Sequence, residues 1–176
     1  QEVDSRIRAL RSGFTAFDET VVYSNADDGK LYRIGVAGGD SEILDSMIGS
    51  SSERTYSWPR ILPGNRYLLT TSSEDELQVG IGNIELHDLE SGAVKVLIQS
   101  ASNATYLKSG HIVFIRDSDI WAVGFDLDSQ EIVGSQVPLV EGLETNSVFG
   151  HAGYTVSDNG KLIYLPGYDM GATLSS

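Results

Sequence analysis

Three histidines, His87, His111 and His151, are the obvious candidates for chemistry in this 176-residue sequence. An imidazole can hold zinc or move a proton, but either task needs partners at set spacing. No His-Glu-x-x-His or other ligand spacing links these three. They are read as exposed or hydrogen-bonded histidines at strand ends. The acid pairs Asp27/Asp28, Asp117/Asp119 and Asp126/Asp128 offer oxygens for calcium, yet none completes a loop that would supply six or more ligands. They are read as turn acids. There is no Gly-x-Ser-x-Gly nucleophile elbow. Residues 156–164 (VSDNGKLIY) approach an Asp-box turn, Ser-x-Asp-x-Gly-x-Thr-Trp, in the wrong register, and are better read as a hairpin. Trp58 and Trp121 sit among apolar strand residues, where packing is expected before a sugar platform. Glu74-Asp75-Glu76 reads as a solvated loop that could also dock a basic partner. Asn103-Ala104-Thr105 matches a glycosylation sequon and is given no weight. The residues therefore assign no catalytic, cofactor-binding or metal-binding position, and leave partner-binding residues unplaced.

Composition narrows the class. At 40% hydrophobic the chain can bury a core. A net charge of −13 works against nucleic acid, whose phosphates need clustered Lys and Arg, and against anionic membrane surfaces. No apolar run approaches the roughly 20 residues of a membrane span, so no direct membrane insertion is expected. With no cysteine, neither disulfides nor thiolate metal sites hold the fold. That suits the cytoplasm or a cysteine-poor bacterial exterior, and a periplasmic or extracytoplasmic place is favoured. The 19 glycines against 4 prolines point to many tight turns between short strands.

The elements agree. Residues 1–12 fit a helix by the spacing of Val3, Ile7 and Leu10 and a strand by the alternation of Val3, Ser5, Ile7 and Ala9; both readings stand. Strands are expected over residues 13–18, 20–25, 31–36 and 42–44, then 56–62, 67–71, 83–88 and 94–98. A third set covers 104–107, 111–116, 120–125 and 137–140, and a fourth begins at 152–157 and 161–165. Asn65, Gly110 and Gly160 occupy matching turns, 45 and 50 residues apart. Units of about 40–50 residues with four short strands are the signature of β-propeller blades. A β-sandwich also has many short strands, but gives no reason for the repeated strand–turn–strand phrase. The expected fold is all-β, a partial β-propeller of four-stranded antiparallel blades within one domain. An arm (1–12) precedes blades at 13–53, 54–101 and 102–148, and an incomplete blade follows at 149–176.

The phrase around Pro59, Leu62-Pro63, Gly64-Asn65, Arg66 and Tyr67–Thr70 resembles the TolB-like propeller repeat, a relative of the WD-type repeat. Residues 110–143 and 152–167 resemble the propeller attached to bacterial receptor-type Ser/Thr kinases and regulators. Gly64-Asn65 departs from the usual Asp-Gly, and the first unit lacks the turn, which leaves the start of that unit open. The resemblance implies a non-catalytic scaffold binding a protein or peptide, with no cofactor, in a fragment of a larger bacterial sensor. On that reading His151 would face the channel, and a homodimer through the open ends would form. The alternative is a piece of a hydrolase or lyase whose site is completed by missing blades or a second copy. A metal or a cleft of titratable groups would favour it.

Overall fold

A computed structural model describes residues 13–25, 27–44, 54–74, 82–143, 145–146, 151–152, 154–157 and 160–166, with backbone alone for 145–146 and 151–152. The arm at 1–12 and the acids Asp75 and Glu76 lie outside the described residues. Every described element is a strand and every pairing is antiparallel.

The first sheet is a meander of β1 (Phe14–Phe17), β2 (Thr20–Ser24), β3 (Leu31–Gly35) and β4 (Glu42–Ile43). β-Branched and aromatic residues in β2 and β3 supply a half-buried pleated surface, and Asp18 turns the chain at φ 47°. Gly29 (φ 66°) brings this sheet against the next, since a Cβ there would stand 2.5 Å from Thr55 Cγ2.

The next seven strands follow in chain order. They are β5 (Thr55–Ile61), β6 (Tyr67–Ser73), β7 (Gly82–Asp88), β8 (Val94–Leu107), β9 (His111–Arg116), β10 (Asp119–Asp126) and β11 (Glu131–Val140). They form one seven-stranded sheet. The 14-residue β8 joins its halves, pairing with β7 through its first part and with β9 through its second. Between those parts Ser100 (φ 50°) and Asn103 (φ 49°) adopt left-handed backbone, and the register shifts against both neighbours. Bulges of this kind bend a strand. The sheet folds at the bend, so Leu69, Ile84 and Leu86 of one half pack against Ile112, Phe114, Val123 and Phe125 of the other. Lys95 on β8 crosses the fold to bond the Gln130 carbonyl at 2.8 Å and the Glu131 carboxylate.

The outer faces are covered too. Tyr56 and Leu68 pack with Val22, Leu31 and Leu44 of the first sheet. On the far side Val113, Ile115, Ile120, Ala122 and Leu143 are covered by Tyr154, Val156 and Leu162. Those last residues belong to a hairpin of β14 (Tyr154–Val156) and β15 (Leu162–Tyr164), which follows the short pair β12 (Thr145–Asn146) and β13 (His151–Ala152).

The expectation of four-stranded propeller blades is therefore corrected. The all-β antiparallel character is present, and the matching turns at Asn65, Gly110 and Gly160 all have positive φ. The strands group as four, seven, two and two, with no repeating array of four-stranded units among the described residues. Local patterns specify hairpins; they do not specify where one sheet ends. The segment at 94–107, read as two strands, is one bent strand. β11 also begins six residues before its expected start, at Glu131, because Gly134 (φ 79°) breaks the alternation without ending the pairing.

Candidate functional site

Two polar clusters interrupt the apolar packing. The first lies where β1, β5, β8 and β14 approach one another. β5 bulges between Ser57 and Arg60, and Trp58 sits at φ 54°, a region that bulky residues rarely occupy. The Trp58 ring lies against Gly13, where a Cβ would be 3.0 Å from Trp58 Cε3. Past the bulge the Arg60 guanidinium turns to β1. Its Nη1 donates to the Phe14 carbonyl at 2.9 Å and to the Pro59 carbonyl at 3.1 Å. Ile61 N–H donates to Thr15 Oγ1 at 3.3 Å, which ties β5 to β1 again. On β8 the bulge at Asn103 has a similar effect: its N–H donates to Thr71 Oγ1 at 3.0 Å, and its carbonyl accepts from the Tyr154 hydroxyl.

Electrostatics mark this place. Burial pushes the Arg60 guanidinium down from its ordinary value, though an arginine keeps its charge. Burial pushes the Tyr154 hydroxyl up to about 12, against the opposing effects of a hydrogen bond from Thr105 and the nearby charge of Arg60. Bulges and strained backbone gather at binding and active sites, because they re-aim side chains at a point.

The second cluster is fully buried. Glu85 and His87 are two residues apart on β7 and share a face, with Thr70 opposite Glu85 on β6. His87 Nε2 lies 2.7 Å from Thr70 Oγ1 and 3.7 Å from Glu85 Oε2. Tyr56 meets the imidazole edge-on, ring centroids 5.6 Å apart. Arg54 Nη1 holds Glu85 Oε1 at 2.9 Å, while Arg54 Nη2 reaches Glu74 at 3.1 Å. The residue types are those of a hydroxyl–imidazole–carboxylate relay, but the geometry is not. A relay needs the hydroxyl on one ring nitrogen and the carboxylate on the other. Here both approach Nε2, and Nδ1 is buried without a partner among the described residues. Glu85, His87 and Thr70 are each at most 1% exposed, so no substrate reaches them. The cluster is structural. Its Nε2–H tautomer suits it best: the proton goes to Thr70, and the unpaired atom is an acceptor rather than a stranded N–H.

This cluster sets a pH response. Burial holds His87 down at about 4, against 6.5 for the free side chain. Arg54 already balances Glu85, so the carboxylate does not make the imidazole charge. The unfolded chain binds a proton below about pH 6.5 that the folded chain refuses until about 4. Stability from this residue is thus complete above the unfolded value and falls as the pH drops through that window, by up to about 3 kcal/mol. In His87→Leu the urea midpoint is expected to change less over that window than in the wild type. Parallel profiles for the two proteins would contradict this.

The other histidines are placed apart. His111 is exposed, with Nδ1 3.0 Å from the Ser109 carbonyl. His151 lies on β13, and only its backbone is described. Asp28 accepts from Lys30 N–H and from the Tyr32 hydroxyl, Asp126 from the N–H groups of Asp128 and Ser129, and Asp119 from Gly142 N–H. Ser157 bonds Lys161 twice across its turn. Trp121 packs beside the central core, with the Arg116 guanidinium 5.6 Å from its ring. Among the described residues no group of three His, Asp or Glu side chains is placed to hold a metal ion. The sequence reading did not single out Arg60, Tyr154, Glu85 or Arg54. Pro59 inside a strand was an available signal for the first cluster, because proline is confined to edges and bulges.

No protein-family model matches the chain, and no curated protein matches it in sequence. Solved structures do match. A puromycin-hydrolyzing peptidase of Mycobacterium tuberculosis aligns with a TM-score of 0.56 at 14% identity, over 86% of this chain and 34% of that one. A luciferin-regenerating enzyme aligns with a TM-score of 0.56 at 14% identity, over 86% of this chain and 52% of that one. At that identity the likeness is one of fold. The chain thus spans about a third of the first and half of the second.

These matches correct two further expectations. The resemblance to the TolB-like repeat rested on a hairpin phrase, and the structures sharing this fold are described as a peptidase and a luciferin-regenerating enzyme. The non-catalytic scaffold rested on the propeller assignment and falls with it.

Proposed function

We propose that this chain is the all-β part of a hydrolase. It holds the substrate, and the reacting groups come from another part of the protein or from a second copy. The observation that carries this reading is the shared fold with a peptidase, over most of this chain and a third of the peptidase. The polar architecture is consistent with the division of labour. The hydroxyl, imidazole and carboxylate that the described residues bring together are sealed from solvent, whereas the strained Trp58 bulge and Arg60 stand at a partly open meeting of four strands.

The test is a screen of the protein isolated intact from its own cells, so that whatever part carries the reacting groups is present, against chromogenic aminoacyl amides, peptidyl amides and carboxylic esters. Turnover of at least one amide or ester class is expected, with loss of activity when the protein is heat-denatured. No turnover across all three classes would overturn the proposal.

A further inference from the structure

Arg60 differs from the other described arginines in how little of its guanidinium is used: Arg116, which also has no carboxylate, donates through Nε, Nη1 and Nη2 to Ser100, Gln136 and Gln99. Arg33 has a carboxylate at 2.8 Å, Arg54 at 2.9 Å and Arg66 at 2.7 Å. Among the described residues Arg60 bonds backbone carbonyls only, both through Nη1. A cation partly withdrawn from water ordinarily has an anion beside it, since neutral carbonyls replace only part of its hydration. The Nε–Nη2 edge is left over, and that is the edge a planar carboxylate can take side-on. The same protein shows such a pair: Arg66 Nε and Nη2 donate to Asp88 Oδ1 and Oδ2 at 3.1 and 2.7 Å.

The surroundings fix the guanidinium in place. Phe14 and Pro59 carbonyls anchor one side, and the Trp58 bulge sets the direction from which it emerges. The Tyr154 hydroxyl is near and is committed to the Asn103 carbonyl. We propose that the Nε–Nη2 edge of Arg60 is a binding site for a single carboxylate, such as the C-terminus or an acidic side chain of a peptide. One guanidinium matches one negative charge. A phosphate dianion would need a second cation, and the chain as a whole carries −13. The proposal rests on the hydrolase reading only for its significance: there, Arg60 selects acidic or free-ended peptide substrates.

Binding can be read without turnover. N-acetyl-alanyl-alanine, its C-terminal amide and inorganic phosphate are titrated into the native protein by calorimetry, at low ionic strength. The acid is expected to bind at least about ten-fold more tightly than the amide, the contrast of one charge-assisted pair. Arg60→Ala should lose that preference, and Arg60→Lys should keep part of it, because lysine is a point charge without the fork. Should Arg60→Ala fail to fold, the wild-type Arg60 Nε resonance in a 15N spectrum still decides: it shifts with the acid and not with the amide. Equal binding of acid and amide, no binding of either, or tighter binding of phosphate would each overturn the site. If the acid binds at Arg60 but no substrate is turned over, the hydrolase reading fails and the anchor stands. The reverse pattern removes the anchor alone.

Discussion

Arg54→Met is expected to lower stability by about 3 kcal/mol, because it strands a buried carboxylate. Glu85 is 0% exposed, and its Oε2 has no hydrogen-bond partner among the described residues. Oε1 is held by Arg54. Methionine matches the apolar stem of arginine but supplies no charge, so Glu85 must stay ionised and uncompensated or take up a proton. The figure sits at the lower end for a buried pair, because the Arg54 side chain is itself 34% exposed and part of its loss is screened by water. The double variant Arg54→Met/Glu85→Met should recover most of the stability, since replacing both charges with apolar groups is often neutral. The measurement is the free energy of urea unfolding for the two single variants and the double. A loss below about 1 kcal/mol in Arg54→Met would mean that Glu85 is not held by Arg54.

Phe114→Ala should cost about 4 kcal/mol, within the usual range for a buried phenylalanine. Phe114 is 0% exposed and stands on β9 in the core between the two halves of the folded sheet. Alanine leaves a cavity among Ile84, Leu86, Ile112 and Val123 that a bent sheet cannot close, because Lys95 ties the first part of β8 across the fold to Gln130 and Glu131. Arg116 also loses the ring 5.2 Å beneath its guanidinium. Unfolding should remain a single transition, since both halves rest on the same core. Two separate transitions, or a cost below about 2 kcal/mol, would show that the halves are not packed on each other as described.

Much of the strand pattern was legible in the sequence. Runs such as TVVYS, LYRIG and HIVFIR are β-branched and aromatic, and glycine or aspartate marks the turns between them. What escaped the sequence were features that depend on how strands meet. The bend in β8 uses Ser100 and Asn103 at positive φ, with no glycine or proline to mark it, so one long strand read as two. The alternation in NIELHD predicts a strand with one wet face. Its polar face is in fact covered by Tyr56 and Leu68 with the first sheet, which turns Glu85 and His87 into buried groups. Nothing in a hexapeptide announces that a second sheet will lie over it.

The site was less legible still. Arg60 reads as one more polar residue on a strand. Its significance comes from the Trp58 bulge, from Phe14 some 46 residues earlier and from Tyr154 almost a hundred residues later, contacts that no local pattern encodes. Propellers were expected because the turns at Asn65, Gly110 and Gly160 repeat. The turns are real, but a repeated hairpin can feed a continuous sheet as readily as separate ones.

The most direct test of the functional account is a digest. The protein would be isolated from its own cells with an antibody against this chain, incubated with a defined peptide library, and the products identified by mass spectrometry. The account predicts cleaved peptides, formed at a rate proportional to the captured protein and absent when the antibody is omitted. A library that remains intact, with captured protein that is folded by circular dichroism, would contradict the hydrolase assignment.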